Sequence, residues 1–552
     1  MKNWLPFLIF SIYSISAFSQ FIDGGYGHSI ILCEDSTVAT FGENNSAQLG
    51  IGTKDSGTHP NPNSPIGITQ KVKMVSASDY SSYILLLDGT VMAWGQGIYG
   101  QIGDGTNTNF VYTPTPVLNL DSVIVIESNS AGDFVLAIRT NGTVWAWGHN
   151  GSGQLGIGNK IDQNLPQQVI GLDSIVDVAA GAGHCLALRS DGTVWAWGSN
   201  SYGQITLADS VSDSTLPFII DTLFGATNVE AGAAFSLVLS GDSTIWAFGY
   251  NYYGQLGINS TIFKTNIPTK VFQLDSVIDI MCGREHALAI RRDGTSWGWG
   301  EAGYNQIGVS TLDRNKPFRT NAIAQFVTMN AGSWHSFATD IYGNLYSFGR
   351  NTYGHLGTGS TSGSGSVVFP NYNSLICKVV VEPINPYARL LVNQEGNPNA
   401  YRFQDTSVYS TYRLWDFNDG SPIDTSINPL HEFNAPGIYN VCLYAFNQFG
   451  IDTTCTTIEI LATNINELNS SVFQVYPNPV KDILNIKMNQ HLSKSIEIEI
   501  FDVNGKIVVK DVKSNLSNQI SIPLDGLKNG FYILKLNGSE FSQSIHFVKT
   551  DE

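Results

Sequence analysis

Asn141-Gly-Thr-Val-Trp-Ala-Trp-Gly148, with its tail Gln154-Leu-Gly156, is the stretch whose reading decides the fold. It returns almost letter for letter as Asp191-Gly-Thr-Val-Trp-Ala-Trp-Gly198. Looser copies centre on Phe41-Gly42, Trp94-Gly95, Phe248-Gly249, Trp299-Gly300 and Phe348-Gly349, making seven in all. Their spacing of about 50 residues is typical of propeller blades. Along this strand Trp145 and Trp147 face one side, Val144 and Ala146 the other. Neither side is polar, so both need cover. Neighbouring blades supply it, with large rings of one against small residues of the next. The Gly after each Trp or Phe removes a side chain where backbones crowd.

Each unit reads as four strands. In residues 172 to 208, Ile175-Val-Asp-Val178 is a short apolar strand, broken by Gly181-Ala-Gly-His184. Cys185-Leu-Ala-Leu188 is the second strand, and Ser190-Asp-Gly192 a hairpin turn that tolerates positive φ. Thr193 to Trp197 is the third. A fourth, outer strand carries Pro in other copies (Pro114, Pro166, Pro268), which suits an edge because Pro cannot donate to a ladder. The first copy begins abruptly at Phe21-Ile-Asp-Gly24, and Ser366-Val-Val-Phe-Pro370 looks like an orphan outer strand. The expectation is that this late segment completes the first blade and latches the ring.

The totals fit this reading. A chain of 552 residues calls for two to four domains. Charged residues are only 14%, while Gly and aromatics are plentiful, which favours short strands and tight turns. The net charge of −17 argues against nucleic acid, whose phosphates demand clustered Lys and Arg. The acidity sits mainly before residue 463, and alone it implies solubility rather than a partner. Residues 1–19 read as a secretory signal: Lys2, the apolar run Leu5 to Ala17, and a small-x-small site at Ala17-Phe-Ser19. No later stretch reads as a transmembrane segment. An exported chain in a disulfide-permissive compartment is expected.

The repeated Gly-x-x-His, Asp-Gly-Thr-Val-Trp-Ala-Trp-Gly and Asn-x-x-Gly-Gln-Leu-Gly resemble the regulator of chromosome condensation repeat family over residues 20–377. The resemblance implies a seven-bladed β-propeller. It leaves function open, since one fold hosts many functions. The family's best-known member is a nuclear nucleotide-exchange factor; a secreted bacterial inhibitor of beta-lactamases uses the same ring as a rigid protein-binding surface and better matches an exported chain.

Residues 379–462 change character. Trp415-Asp-Phe-Asn-Asp-Gly420, His431-Glu-Phe433 and Pro436-Gly-Ile-Tyr439-Asn-Val441 resemble a polycystic kidney disease (PKD) domain, which implies an immunoglobulin-like β-sandwich, often a spacer. Val441 to Phe446 and Ile451 to Thr456 read as a hairpin. Pairing Phe446 with Ile451 sets Cys442 opposite Cys455, so a disulfide is expected there, closing a loop of roughly 14 residues and contributing about 3 kcal/mol. Residues 464–471 form a polar linker. In 472–552, Phe473-Gln-Val-Tyr-Pro-Asn-Pro479, Ile500-Phe-Asp-Val-Asn-Gly505 and Leu527-Lys-Asn-Gly-Phe-Tyr-Ile-Leu534 resemble the type A C-terminal sorting domain of the type IX secretion system of Bacteroidetes. That resemblance implies a small C-terminal β-sandwich, passage across the outer membrane through the secretion machinery, and release or attachment at the cell surface. The expected fold class is thus all-β: a propeller, a sandwich and a sorting domain.

Candidate chemistry is sparse. Gly151-Ser-Gly-Gln-Leu-Gly156 matches a dinucleotide fingerprint by letters, but no helix follows to cradle phosphate. Asp416 to Gly420 is a poor calcium loop, with Gly one place early and Ile427 where Glu belongs. His28, His184, His286 and His335 share one slot in different blades and read as buried and hydrogen-bonded; His355 replaces a repeat Gln. Cys33, Cys185, Cys282 and Cys377 lack metal-ligand spacing. No catalytic set, metal site or cofactor is assigned. Tyr99, Tyr202, Tyr253, Tyr304 and Tyr353 fall in one loop slot, and ring symmetry would gather them on one face as a binding surface. Each could instead pack under its own loop. Ser122, Ser174, Thr222 and Ser276, each after Asp and before an apolar residue, resemble the O-glycosylation acceptors of Bacteroidetes, or else mark a turn entering a strand. Together these features imply an exported, non-catalytic recognition protein whose propeller binds a protein or glycan. A carbohydrate-active or lytic enzyme is the alternative, favoured by an axial cluster of Asp, Glu or His with room for substrate. Guanine-nucleotide exchange is a distant third.

Overall fold

The computed structural model describes residues 21–208, 210–309, 311–320, 325–362, 364–368, 385–447, 449–461, 473–488, 495–502, 505–514, 519–538 and 542–550. The expected signal, 1–19, the expected linker, 464–471, and Cys377 lie outside them. Among the described residues there is no helix. The repeats form seven four-stranded antiparallel sheets, each from consecutive strands. In blade four these are Ile175–Ala180, His184–Arg189, Val194–Ser199 and Asp213–Ile219. The first strands of the seven blades contact one another in cyclic order, the last touching the first, so they line the axis. The fourth strands lie outermost and carry the prolines.

Strand polarity then fixes two faces. On one lie the turn between the first two strands and the loop leaving the third. On the other lie the Asp-Gly hairpins and the Asp-Ser/Thr links between blades.

The expected latch is not how the ring closes. Ser364–Val368 pairs with Leu345–Gly349 of its own blade seven. Blade one supplies its own outer strand, Thr58–Asn63, whose Pro60 and Pro62 mark it as an edge. Closure is made by side chains instead. Ile22, Ile31 and Phe41 of blade one pack with Phe337 and Leu345 of blade seven.

The repeated letters meet at each blade junction. The Gln of Gln-Leu-Gly offers its backbone carbonyl to the following blade. Trp94 Nε1 donates to Gln48 O, Trp147 to Gln101 O, Trp197 to Gln154 O and Trp299 to Gln255 O, at 2.8–2.9 Å. These four rings are fully buried. The next Gly makes room: a Cβ on Gly156 would lie 3.0 Å from Trp197 Nε1. Gly198 takes φ +90° because a Cβ there would meet the Gly183 carbonyl at 2.4 Å.

The slot histidines complete the junction. His28, His184 and His286 set Nε2 at 2.9–3.0 Å from Ser82, Ser236 and Ser336 Oγ of the next blade. His335 does the same with Ser29, across the ring closure. Each Ser gives its one proton to a carbonyl of the preceding blade, at Gln48, Gln204, Gln306 or His355. The Ser must therefore accept from the imidazole, which is neutral and protonated on Nε2. Burial agrees, pushing His28, His184 and His286 down to about 3. At the other three junctions the paired slots hold Ser81 and Val135, Phe134 and Cys185, and Phe235 and Ala287. Ser stands in the acceptor slot only where His stands in the donor slot.

The PKD-like region has two three-stranded sheets. Its core includes Phe403, Trp415, Phe433, Val441 and Leu443, and Trp415 Nε1 donates to Ser426 O at 3.0 Å. The expected Cys442–Cys455 disulfide is formed. Cys33 is also disulfide-bonded, whereas Cys185 and Cys282 are free and buried. The region is fixed to the propeller. Buried Val408 and Tyr409 pack against Val327 of blade seven, and Tyr409 donates its hydroxyl to Phe326 O at 3.1 Å. A separate compact unit holds most of the C-terminal segment. It has a three-stranded and a four-stranded sheet around Leu484, Ile486, Ile498, Ile500, Leu534 and Leu536.

The junctions differ in a testable way. Gln48 O has two donors, Trp94 and Ser82, whereas Gln101 O receives Trp147 opposite Val135. Trp147→Phe should therefore cost about 1–3 kcal/mol, the penalty of a stranded buried carbonyl, and Trp94→Phe clearly less. Denaturant midpoints of the two variants check this. The His–Ser pair gives a second expectation. His286→Phe and Ser336→Ala should each destabilise, while the double variant, copying Phe235 and Ala287, should recover about 0.5–3 kcal/mol of the summed loss in a double-mutant cycle.

Candidate functional site

The two loop sets on one face hold what the repeats do not share. The turns between first and second strands contribute Tyr26, Asp79, Tyr80, Asp133, Arg284, Glu285 and Trp334. The position after the third strand's Gly contributes Glu43, His149, Tyr250, Glu301 and Arg350. Both slots sit at the end of a strand locked by the junction bonds, so a side chain there projects from a rigid base.

Arg350 organises the larger cluster. Its guanidinium carbon lies 4.9 Å from the Trp334 ring centre, 5.4 Å from Tyr304 and Tyr353, and 5.9 Å from Tyr26. Tyr26 meets Trp334 edge-on at 4.7 Å and tilts against Tyr80 at 5.7 Å. The Arg284 guanidinium carbon also lies 5.4 Å from the Trp334 ring centre. Such cation–ring contacts hold guanidinium groups in place, and Arg350 Nε also donates to Thr352 Oγ1 at 3.0 Å.

Carboxylates surround the two arginines. Burial pushes Asp79 up to about 7, nearby Asp133 adds to the shift, and Arg284 opposes it. Burial likewise pushes Glu285 up to about 7, again opposed by Arg284. Glu301 and Glu43 are raised by burial, with Arg284 and Arg350 respectively pulling them back. Asp133 is raised by burial and eased by His149 and Gln101.

The five tyrosines of the shared slot all leave this face, but they do not form one ring. Tyr304 and Tyr353 belong to the Arg350 cluster. Tyr202 joins Tyr250, Tyr252, Tyr253 and Phe263, with Tyr202 and Tyr250 centred 4.7 Å apart. Tyr99 stands apart against His149 at 4.7 Å. In four of the five loops the Tyr backbone N–H donates to the side chain two residues on, Gln101, Gln204, Gln255 or Gln306; after Tyr353 that place is held by His355, whose ring nitrogens accept no such bond. Tyr252 is 66% exposed, Phe263 52% and Tyr304 45%. Of the five slot tyrosines, Tyr202 and Tyr304 are exposed, while Tyr99, Tyr253 and Tyr353 are half-buried.

Ser122, Ser174, Thr222 and Ser276 lie exposed on the opposite face. Three have positive φ, of 54–56°. Their preceding aspartates pair with Arg139, Arg189 and Arg291 at the end of the second strand, which gives these positions a structural part in the turn.

The axis does hold carboxylates, from five different blades: Asp23, Glu127, Asp177, Glu230 and Asp279. An innermost strand has an unpaired edge, and these side chains help to satisfy it. Asp23 accepts from Gly24 N and, in the next blade, Ala77 N, both at 2.8 Å. Asp177 accepts from Val178 N at 2.9 Å and Val229 N at 3.4 Å. Asp279 accepts from Ile280 N at 3.0 Å. Ser76 and Ser128 bridge two further strands at 2.7 Å. Loops close one mouth of the channel: Ser333 Oγ reaches across to Ser130 O at 2.7 Å, and Asn129 Nδ2 to Ala231 O at 2.9 Å. The remaining cavity is about 80 Å³, well below the roughly 300–1,000 Å³ of small-molecule sites. Among the described residues no three His, Cys, Asp or Glu side chains are placed to hold a metal.

Known proteins place these features. The chain matches the RCC1-like domain family over residues 11–317 and 113–381, the PKD domain over 380–462, and the secretion system C-terminal sorting domain over 474–550. It belongs to the RCC1-like domain family. It is 29% identical to the ultraviolet-B receptor UVR8 of Arabidopsis thaliana over 349 residues, 62% of this chain and 79% of that protein. It is 34% identical over 273 residues to the probable E3 ubiquitin-protein ligase HERC6 of Homo sapiens, covering 48% of this chain but only 26% of that protein. The match to human HERC2 covers 7% of that protein. Among solved structures, yeast RCC1 (Prp20) bound to Kap60 superposes with a TM-score of 0.57 at 20% identity, over 65% of this chain and 87% of that one. Human WBSCR16 gives 0.51 at 23%, over 56% and 84%. At these identities the superpositions speak to the fold. The sorting domain marks the chain for export across the outer membrane, to the cell surface or the extracellular space.

The axial carboxylates carry a pH signature. Burial pushes Asp23 up to about 7 from its ordinary 3.8. The folded state therefore holds a proton that the unfolded chain gives up between about 4 and 7. That contribution is complete below about pH 4 and lost as pH rises through about 7. Relative to the native chain, Asp23→Asn should gain stability from pH 4 to 8, by about 1.4 kcal/mol per unit across the window at most. Thermal melts over that range check it; a gap independent of pH would show a carboxylate ionised throughout.

Proposed function

We propose that this chain is a non-catalytic recognition protein working outside the outer membrane, with the Arg350 face of its propeller as the binding surface. One observation carries the reading. Letters common to the blades go inside, to the junctions, while the letters that differ converge on one face as a contiguous patch of aromatic and charged side chains. Rigid rings with pinned guanidinium groups are the residue types that anchor protein interfaces. The matches to the HERC ligases cover only 7% of HERC2 and 26% of HERC6, so their ligase activity is not carried over to this chain.

A glycan is the second reading. It is favoured by the exposed Tyr202–Tyr252–Phe263 group, whose ring faces offer stacking surface without strong charge. Catalysis on the axis is disfavoured, because the aspartates there are engaged by backbone N–H groups and the space is small. The PKD-like region, fixed through Tyr409, would act as a stiff base rather than a loose tether.

The test is a pull-down of secreted and surface proteins with the full exported chain, alongside a glycan array. Partners held by the native chain should lose about tenfold or more in affinity with Tyr26→Ala plus Arg350→Ala. A glycan ligand should instead respond to Tyr202→Ala plus Tyr253→Ala. Partners bound equally well by both double variants would sink this surface as the site.

A further inference from the structure

The Arg350 face also shows which partner chemistry it lacks. Three carboxylate oxygens there, Glu43 Oε2, Asp79 Oδ1 and Glu301 Oε2, are enclosed yet accept no hydrogen bond. Glu43 keeps one donor, Asn45 Nδ2 to Oε1 at 2.5 Å, and Glu301 is hydrogen-bonded by Trp334 and Gln306, so each carboxyl has one oxygen to spare; buried acceptors are normally satisfied, and leaving one unpaired is costly. The three come from blades one, two and six, around the Tyr26–Trp334–Arg350 cluster. Glu43 faces Arg350, Glu301 and Asp79 face Arg284, and Asp79 also faces Asp133. With Glu285, the patch sets five carboxyl groups against two guanidinium groups. Both arginines lie against the Trp334 ring, so their charge is already committed to the patch. The missing elements are N–H donors carrying positive charge, delivered between aromatic rings.

We propose that the Arg350 face takes a protein segment rich in arginine or lysine. Resting on the recognition reading above, the proposal narrows its partner class. A guanidinium or ammonium group entering beside Tyr26 and Tyr80 would donate to Asp79 Oδ1 and stack on the rings, and neighbouring basic side chains would reach Glu43 and Glu301. Burial now favours the protonated carboxyl groups; an incoming cation reverses that balance by supplying both charge and donors. The overall charge of −17 would speed such an encounter, but it acts everywhere on the surface. Specificity has to come from the enclosed acceptors.

The experiment uses the full exported chain and three fluorescent decapeptides, alternating Gly with Arg, Lys or Glu, followed by anisotropy at physiological salt. The Arg and Lys peptides should bind and the Glu peptide should not. Asp79→Asn plus Glu301→Gln, which preserves shape, should weaken the Arg peptide by about tenfold or more. Asp121→Asn plus Asp173→Asn removes two fully ionised carboxylates from the opposite face, at least as much charge, and should change affinity by less than about twofold. Equal losses in the two double variants would reduce the effect to diffuse attraction and overturn the proposal. So would absence of binding by both cationic peptides up to millimolar concentration. If a natural partner is lost with Tyr26→Ala plus Arg350→Ala yet keeps its affinity for Asp79→Asn plus Glu301→Gln, the basic class is wrong and the recognition reading stands.

Discussion

The ring depends on a carbonyl handed from each blade to the next. The Gln of Gln-Leu-Gly ends a tight loop with its backbone oxygen buried, and a buried acceptor must find a donor. The following blade provides it from its third strand as an indole N–H, from its second strand as a hydroxyl, or from both. The slot histidine then supplies the proton that the hydroxyl's oxygen needs. This explains why three motifs far apart in each repeat travel together: they meet only across a junction. It also explains closure. Ser29 answers His335 as Ser82 answers His28, so the two ends of the propeller chain are joined by the same bond that joins its middle.

That rigidity has a functional consequence. Because junction bonds hold both strands that lead to the Arg350 face, a side chain placed at either loop slot keeps its position without help from the loop. The propeller is then free to vary those slots. Blade four leaves small residues there, Ala182, Gly183 and Ser199, whereas blades six, seven and one supply Arg284, Trp334, Arg350 and Tyr26. The resulting patch is lopsided, with arginines held among rings and rimmed with carboxylates. The axial carboxylates look like catalytic groups in a bare inventory. Their bonds to the free edges of the inner strands give them a structural occupation.

Much of this was legible in the letters. Blade number, strand order, the Asp-Gly hairpins and the Pro-bearing edges follow from hydrophobic alternation and turn chemistry within a single repeat. The Cys442–Cys455 bond follows from one hairpin register. The proposed binding face was half legible. The tyrosine slot could be read because it recurs, but Arg350, Trp334 and Tyr26 escaped because they do not. The Gly-x-x-His motif was noticed for its fixed ends, and its two variable positions hold most of the site. The latch was misread for a related reason. Thr58–Asn63 is too polar to stand out as a strand, and pairing with its own blade is a backbone event that leaves little mark on composition.

Sequence alone determined what is local and repeated: seven blades, a sandwich and a sorting domain, because period-two alternation and tight turns act over a few neighbouring residues. Only the tertiary structure decided which single side chains meet. Arg350 and Tyr26 lie more than three hundred positions apart in the chain, and closing the ring through short-range contacts is what brings them together. No periodicity encodes that distance; the geometry of the closed ring does.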